Sequence, residues 1–138
     1  MARGDGVRAV ENFWARVWQA PPDLDAVDEL VVEDFVIISG GEEIRSRPAF
    51  KEWVIAFQTT IGDLQFDVLE SFESADGTRV ASTWRMTGTN NGVLGIEPTG
   101  EPFEMSGIAV WSVREDGMLL WNRVERNALE VYRALTGA

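Results

Sequence analysis

Cysteine and histidine are both absent from the 138 residues of this chain. Without thiols there are no disulfides, no thiolate nucleophiles and no Cys-ligated zinc or iron–sulfur sites. Without imidazole there is no Ser-His-Asp relay and no His-bound metal, so proton transfer falls to Asp, Glu, Tyr, Lys, Arg or bound water. Tyrosine is nearly missing as well: Tyr132 is the one copy, close to the C-terminus. No apolar run approaches the roughly 18–20 residues of a membrane helix. The opening M-A-R-G-D-G-V-R has no apolar segment behind it of the kind a secretory signal needs. A soluble, cytoplasmic chain with no membrane partner is expected. Basic residues are few and scattered, with 12 Lys and Arg against 23 Asp and Glu for a net charge of -11. A phosphate backbone would be repelled, so nucleic acid is not an expected partner.

What is present is 45% apolar residues in clear patterns, in a length that suits one domain over 1–138. Val10, Phe13, Trp14, Val17 and Trp18 recur at spacings of three and four, which predicts an amphipathic helix over Val7–Trp18, ended by Pro21 and Pro22. Asp23 caps a short second helix to about Leu30, turning Leu24, Val27 and Leu30 inward. Phe35–Ile38 reads as a short strand closed by Gly40-Gly41. Ser46 and Pro48 start a third helix that carries Phe50, Trp53, Val54 and Phe57 and ends near Gly62.

Beyond Gly62 the period becomes two. Leu64, Phe66 and Val68 alternate with polar neighbours, and Ala75-Asp76-Gly77 turns the chain into Val80, Ser82, Trp84 and Met86. A Gly- and Asn-rich loop from Asn90 to Gly100 leads into a strand over Phe103–Val113. With no Lys and no following helix N-terminus it is not a phosphate loop; it reads as a flap over a cavity mouth, with Ile96 and Pro98 touching neighbours. Glu115-Asp116-Gly117 turns the chain into a last strand, Met118 to about Arg126, and a helical tail follows over Ala128–Leu135. The order specifies an α+β domain, three N-terminal helices packed on a curved antiparallel sheet. Strict alternation would put Leu119, Trp121, Arg123, Glu125 and Asn127 on one face of the last strand, and Leu120, Asn122, Val124 and Arg126 on the other.

Four stretches carry a resemblance: V-W-Q-A-P-P-D-L-D-A-V-D-E-L-V-V-E-D-F-V, W-R-M-T-G-T, G-I-E-P-T-G and E-D-G-M-L-L-W-N-R-V-E-R-N-A-L. In this order, over nearly the whole chain, they resemble the SnoaL-like polyketide cyclase family of the nuclear-transport-factor-two-like superfamily. The resemblance implies a cone whose sheet wraps the helices around a small-molecule cavity. It also implies a cofactor-free cyclase, isomerase or hydratase acting on a small hydrophobic carbonyl compound, and a homodimer through the outer sheet face. No metal and no cofactor are called for. Three positions depart from the family pattern. Ile38 and Asn90 stand where relatives often have His, and Asn127 stands where the cyclases keep an Asp as general acid and base. An amide cannot exchange a proton near neutral pH, so Asn127 would serve as a hydrogen-bond donor to a carbonyl.

The candidate catalytic set is therefore Glu125 for proton transfer, with Arg123 and Asn127 holding oxygens. The candidate lining is Trp14, Ile38, Trp84, Met86, Asn90, Met105, Trp111 and Trp121. Each has a plainer alternative. Asn127 with Glu130 has capping-box spacing; Arg123 and Glu125 would also make a rim ion pair of little worth; the Trp and Met side chains would equally fill a core. Two functions stay open, an enzyme and a binding domain that kept the cone without the family's acid and base.

Overall fold

The computed structural model describes residues 2–138. Helix α1, Asp5–Val17, buries Val10, Phe13, Trp14 and Val17, as its spacing requires. Its N-terminal Gly4 offers no side-chain cap. The carboxylate of Glu73, far along the chain, takes that role by accepting from the N–H groups of Gly4 (3.2 Å) and Val7 (3.1 Å). The backbones meet closely there, since a Cβ on Gly6 would lie 2.7 Å from the Gly77 carbonyl oxygen. Helix α2, Leu24–Leu30, is capped by Asp23, whose side chain accepts from Ala26 N–H. Helix α3, Arg47–Thr59, begins at Ser46, whose hydroxyl accepts from Ala49 N–H, with Pro48 in the first turn.

Strands β1 (Val31–Ser39), β2 (Glu42–Arg45), β3 (Ile61–Glu73), β4 (Arg79–Asn90), β5 (Pro102–Val113) and β6 (Leu119–Arg126) form one sheet in the order β2-β1-β6-β5-β4-β3. The expected α+β architecture is present, with three differences. The sheet is mixed, because β1 pairs with β6 in parallel. Strand β1 is longer than Phe35–Ile38. After Gly40-Gly41 the exposed residues Glu42 and Glu43 begin an edge strand, β2, where no strand was expected. The terminal segment is helix α4, Ala128–Thr136.

Long strands are joined by tight turns that Asp side chains organise. Asp76 accepts from Thr78 N–H and from the hydroxyls of Ser74 and Thr78, which lowers its pKa to about 2. Asp116 is likewise lowered to about 2, first by the Arg114 guanidinium and then by Met118 N–H. The core lies between the helices and the concave sheet face. Trp111 is its centre, fully buried, with ring centroids 4.8 Å from Phe13, 5.4 Å from Trp14 and 6.3 Å from Phe35. Among the described residues no helix is long and apolar enough to cross a membrane.

Candidate functional site

Pairing registers decide which residues face the concave interior. Across it run the rows Val80–Trp111–Asn122–Ile37, Ser82–Ala109–Val124–Ser39 and Val68–Trp84–Gly107–Arg126. On β6 the inward set is thus Asn122, Val124 and Arg126. The cause is a β-bulge. Val113 pairs with Leu119 and Ser112 with Trp121, so Leu120 is an extra residue that reverses the phase of the strand. Leu119 points into the core, whereas Trp121, Arg123 and Glu125 point out.

The interior holds a cavity lined by Trp14, Trp18, Ile37, Ser39, Trp53, Phe57, Phe66, Trp84, Met86, Asn122, Val124 and Arg126. Its walls are mostly aromatic. Phe66 stands between Trp14 (4.9 Å), Trp18 (5.7 Å) and Trp84 (5.6 Å), with all three ring pairs near parallel. The cavity's free volume is about 20 Å³, room for a water molecule. Any ring-sized ligand therefore enters by moving side chains. Trp53, Phe57, Phe66 and Arg126 are the half-buried members of the lining and mark the mouth.

Polar groups are few, and several lack partners. The Oδ1 of Asn122, a residue only 2% exposed, and the Nε1 of Trp14 and Trp84 make no hydrogen bond within the protein. Arg126 lies with its guanidinium 5.0 Å over the Phe57 ring, and its Nε is also without a partner. Burial is the main influence on Arg126, lowering its pKa; Glu42 acts in the opposite sense through space and forms no ion pair with it. Leaving such groups unpaired in an apolar interior costs on the order of 1–3 kcal/mol each.

Trp84 depends on Gly107 beside it. A Cβ at Gly107 would fall 2.4 Å from Cζ2 of Trp84 and 2.5 Å from the Glu125 carbonyl oxygen, so the ring occupies the space a side chain would take.

Of the residues expected from the sequence, Trp14, Trp84 and Met86 line this cavity. Met105 and Trp111 are fully buried in the packing around it and are not on its surface. The others lie elsewhere. Arg123 and Glu125 are exposed on the convex face and form no ion pair with each other among the described residues. This removes the geometric basis for proton transfer by Glu125 within the cavity. Trp121 is on the same face under the Arg79 guanidinium, 5.4 Å away, and Ile38 lies beside it in a shallow cleft with Val36.

Asn127 is at the N-cap position of α4, but its side chain makes no cap bond. Its Oδ1 accepts from Ser106 N–H at 3.0 Å and so extends the β5–β6 pairing, and the capping box with Glu130 is not formed. Asn90 organises its own loop. Its amide donates to Glu97 O and Thr99 Oγ1, and its Oδ1 accepts from Gly92 and Val93 N–H. Ile96 of that loop is buried and Pro98 exposed, and no loop residue lines the cavity, so the expected flap over this mouth is not formed.

Sequence reasoning missed Asn122 and Arg126. A signal was available: between Asn122 and Asn127 the set Asn122, Val124, Arg126 is less polar than Arg123, Glu125, Asn127, and the less polar set belongs inside. Among the described residues no group of three or more His, Cys, Asp and Glu side chains is placed to hold a metal ion.

A curved sheet around helices, with an aromatic cavity opening between α3 and β6, defines the class of cone-shaped α+β folds. Residues 10–121 match the SnoaL-like domain, and the chain belongs to that family. Solved structures agree over the full length. A protein from Jannaschia sp. CCS1 proposed to be a SnoaL-like polyketide cyclase superposes with TM-score 0.88 at 18% identity, covering 99% of this chain and 94% of its own. A proposed polyketide cyclase from Acidithiobacillus ferrooxidans gives 0.80 at 25% identity, covering 97% and 96%. TsrD from Streptomyces laurentii gives 0.82 at 17% identity, covering 100% and 99%. No curated protein matches the sequence.

Proposed function

We propose that this SnoaL-like domain binds a small, planar, largely apolar carbonyl compound in its cone, and that it does so without a side-chain general acid or base. The observation that carries the reading is the lining: it contains no Asp, Glu, Lys or Tyr, and its one ionisable group is the guanidinium of Arg126. Aromatic walls suit a flat ligand. The indole N–H groups of Trp14 and Trp84 would donate to a carbonyl oxygen, and Asn122 Oδ1 would accept from a ligand N–H or O–H. The same donors would polarise a bound carbonyl, and cyclase-type chemistry here would need water as the acceptor of the proton lost in forming an enolate, since the lining supplies no base. The family's Asp mechanism has no counterpart, since Asn127 is engaged with Ser106 outside the cavity.

Benzamide offers a ring, a carbonyl and an N–H donor. Isothermal titration should detect it binding the wild type, and Asn122→Leu should weaken that binding at least tenfold. The same substitution should raise Tm by about 3 °C, because it removes a buried acceptor without a partner, worth about 1 kcal/mol. A variant of lower Tm that binds benzamide normally would place the ligand elsewhere.

Homodimerisation belongs to the same reading. The convex face exposes Leu69, Phe72 and Ile108, each more than half exposed (59%, 58% and 53%), an apolar surface suited to a second copy. Elution as a 15.4 kDa species would contradict it.

A further inference from the structure

The cavity's one cation has no anion. Several other arginines of this acidic chain are matched, Arg16 with Asp23 and Glu29, Arg45 with Glu43, Arg85 with Asp67 and Glu104, Arg114 with Asp116, while Arg79, Arg123 and Arg133, which form no ion pair among the described residues, are exposed to water. Arg126 is more buried than these and makes no ion pair or hydrogen bond among the described residues, although the chain carries 23 Asp and Glu. A half-buried guanidinium is costly unless something compensates it. Its one contact of note is with the Phe57 ring, 5.0 Å from the guanidinium carbon, and Nε is buried without an acceptor.

We propose that the ligand is a planar aromatic carboxylate, with its ring against the Trp14–Phe66–Trp84 stack and its carboxylate held by Arg126. This rests on the cavity being the ligand site. A guanidinium fork matches a carboxylate in two parallel N–H···O bonds, and a partly dry site strengthens them. The bond would also supply Nε or its neighbours with the acceptor they lack. A net charge of -11 works against collecting anions over the general surface. Selectivity for an acid must therefore come from this one position, which makes it testable by one substitution.

Benzoate and benzamide have nearly the same shape and differ in charge. At pH 7 the wild type should bind benzoate at least tenfold more tightly than benzamide by isothermal titration. Arg126→Met keeps an unbranched side chain against Phe57 and removes an unpaired charge, so the fold is retained, which a melt would verify. In that variant benzoate should lose its advantage, falling to within about twofold of benzamide. Arg123→Met, on the convex face, should leave the preference intact. If the wild type binds both equally, or if Arg126→Met keeps the preference, the carboxylate anchor is wrong and the cavity reading stands. If neither compound binds the wild type, the cavity reading itself falls and takes the anchor with it.

Discussion

Trp111→Ala is expected to cost about 3–5 kcal/mol, the range for removing a buried Trp from a packed core. The ring is fully buried and touches α1 through Phe13 and Trp14 and β1 through Phe35, so it links the first helix to the middle of the sheet. Trp121→Ala is the internal comparison. Trp121 is on the neighbouring strand, but the bulge at Leu120 sets it on the convex face, where Arg79 covers one side of it. Its loss should cost about 1 kcal/mol or less. Denaturant unfolding of both variants measures the contrast. Equal costs would mean that the two faces have been assigned wrongly.

Gly107→Ala is the second large effect, and its sign is diagnostic. In an ordinary strand, alanine for glycine is neutral or helpful, because glycine adds chain entropy and packs nothing. Here the added Cβ would meet the Trp84 ring at 2.4 Å and the backbone oxygen of Glu125 at 2.5 Å, and the backbone contact cannot be relieved by turning a side chain. A loss of about 2–3 kcal/mol follows from overpacking. Because Trp84 is displaced, benzamide binding should fall with it. A variant as stable as the wild type would show that the cavity wall is not built in this way.

How much of this was readable from sequence depends on which interactions act locally. Helical spacing in Val10–Phe13–Trp14–Val17 and the caps at Asp23 and Ser46 are short-range signals, and those elements stand where expected. The strand from Leu64 and the turns at Asp76 and Asp116 were legible for the same reason. Two things were not. Period-two alternation sorts a strand into two sets without saying which set is inside, and one extra residue exchanges them. Leu119 and Trp121, both large and apolar, suggested one phase; the bulge gives them opposite faces and brings Asn122 and Arg126 inward. Ile38, expected at the cavity only from its place in the family resemblance, is on the other face of β1, where Ile37 and Ser39 are the inward neighbours. Asn127 fits a capping pattern read along the chain, yet its side chain is taken by Ser106, twenty-one residues away. A local pattern cannot weigh that competitor.

The most direct test of the central claim, that ligand sits among the inward aromatic rings and not on the convex face, is the ¹H–¹⁵N spectrum of the six indole N–H groups with and without saturating benzoate. Trp14 and Trp84 have buried indole nitrogens without partners on the cavity wall, and their resonances should shift. Trp121 on the convex face should stay in place. Movement of Trp121 with Trp14 and Trp84 unchanged would contradict the account.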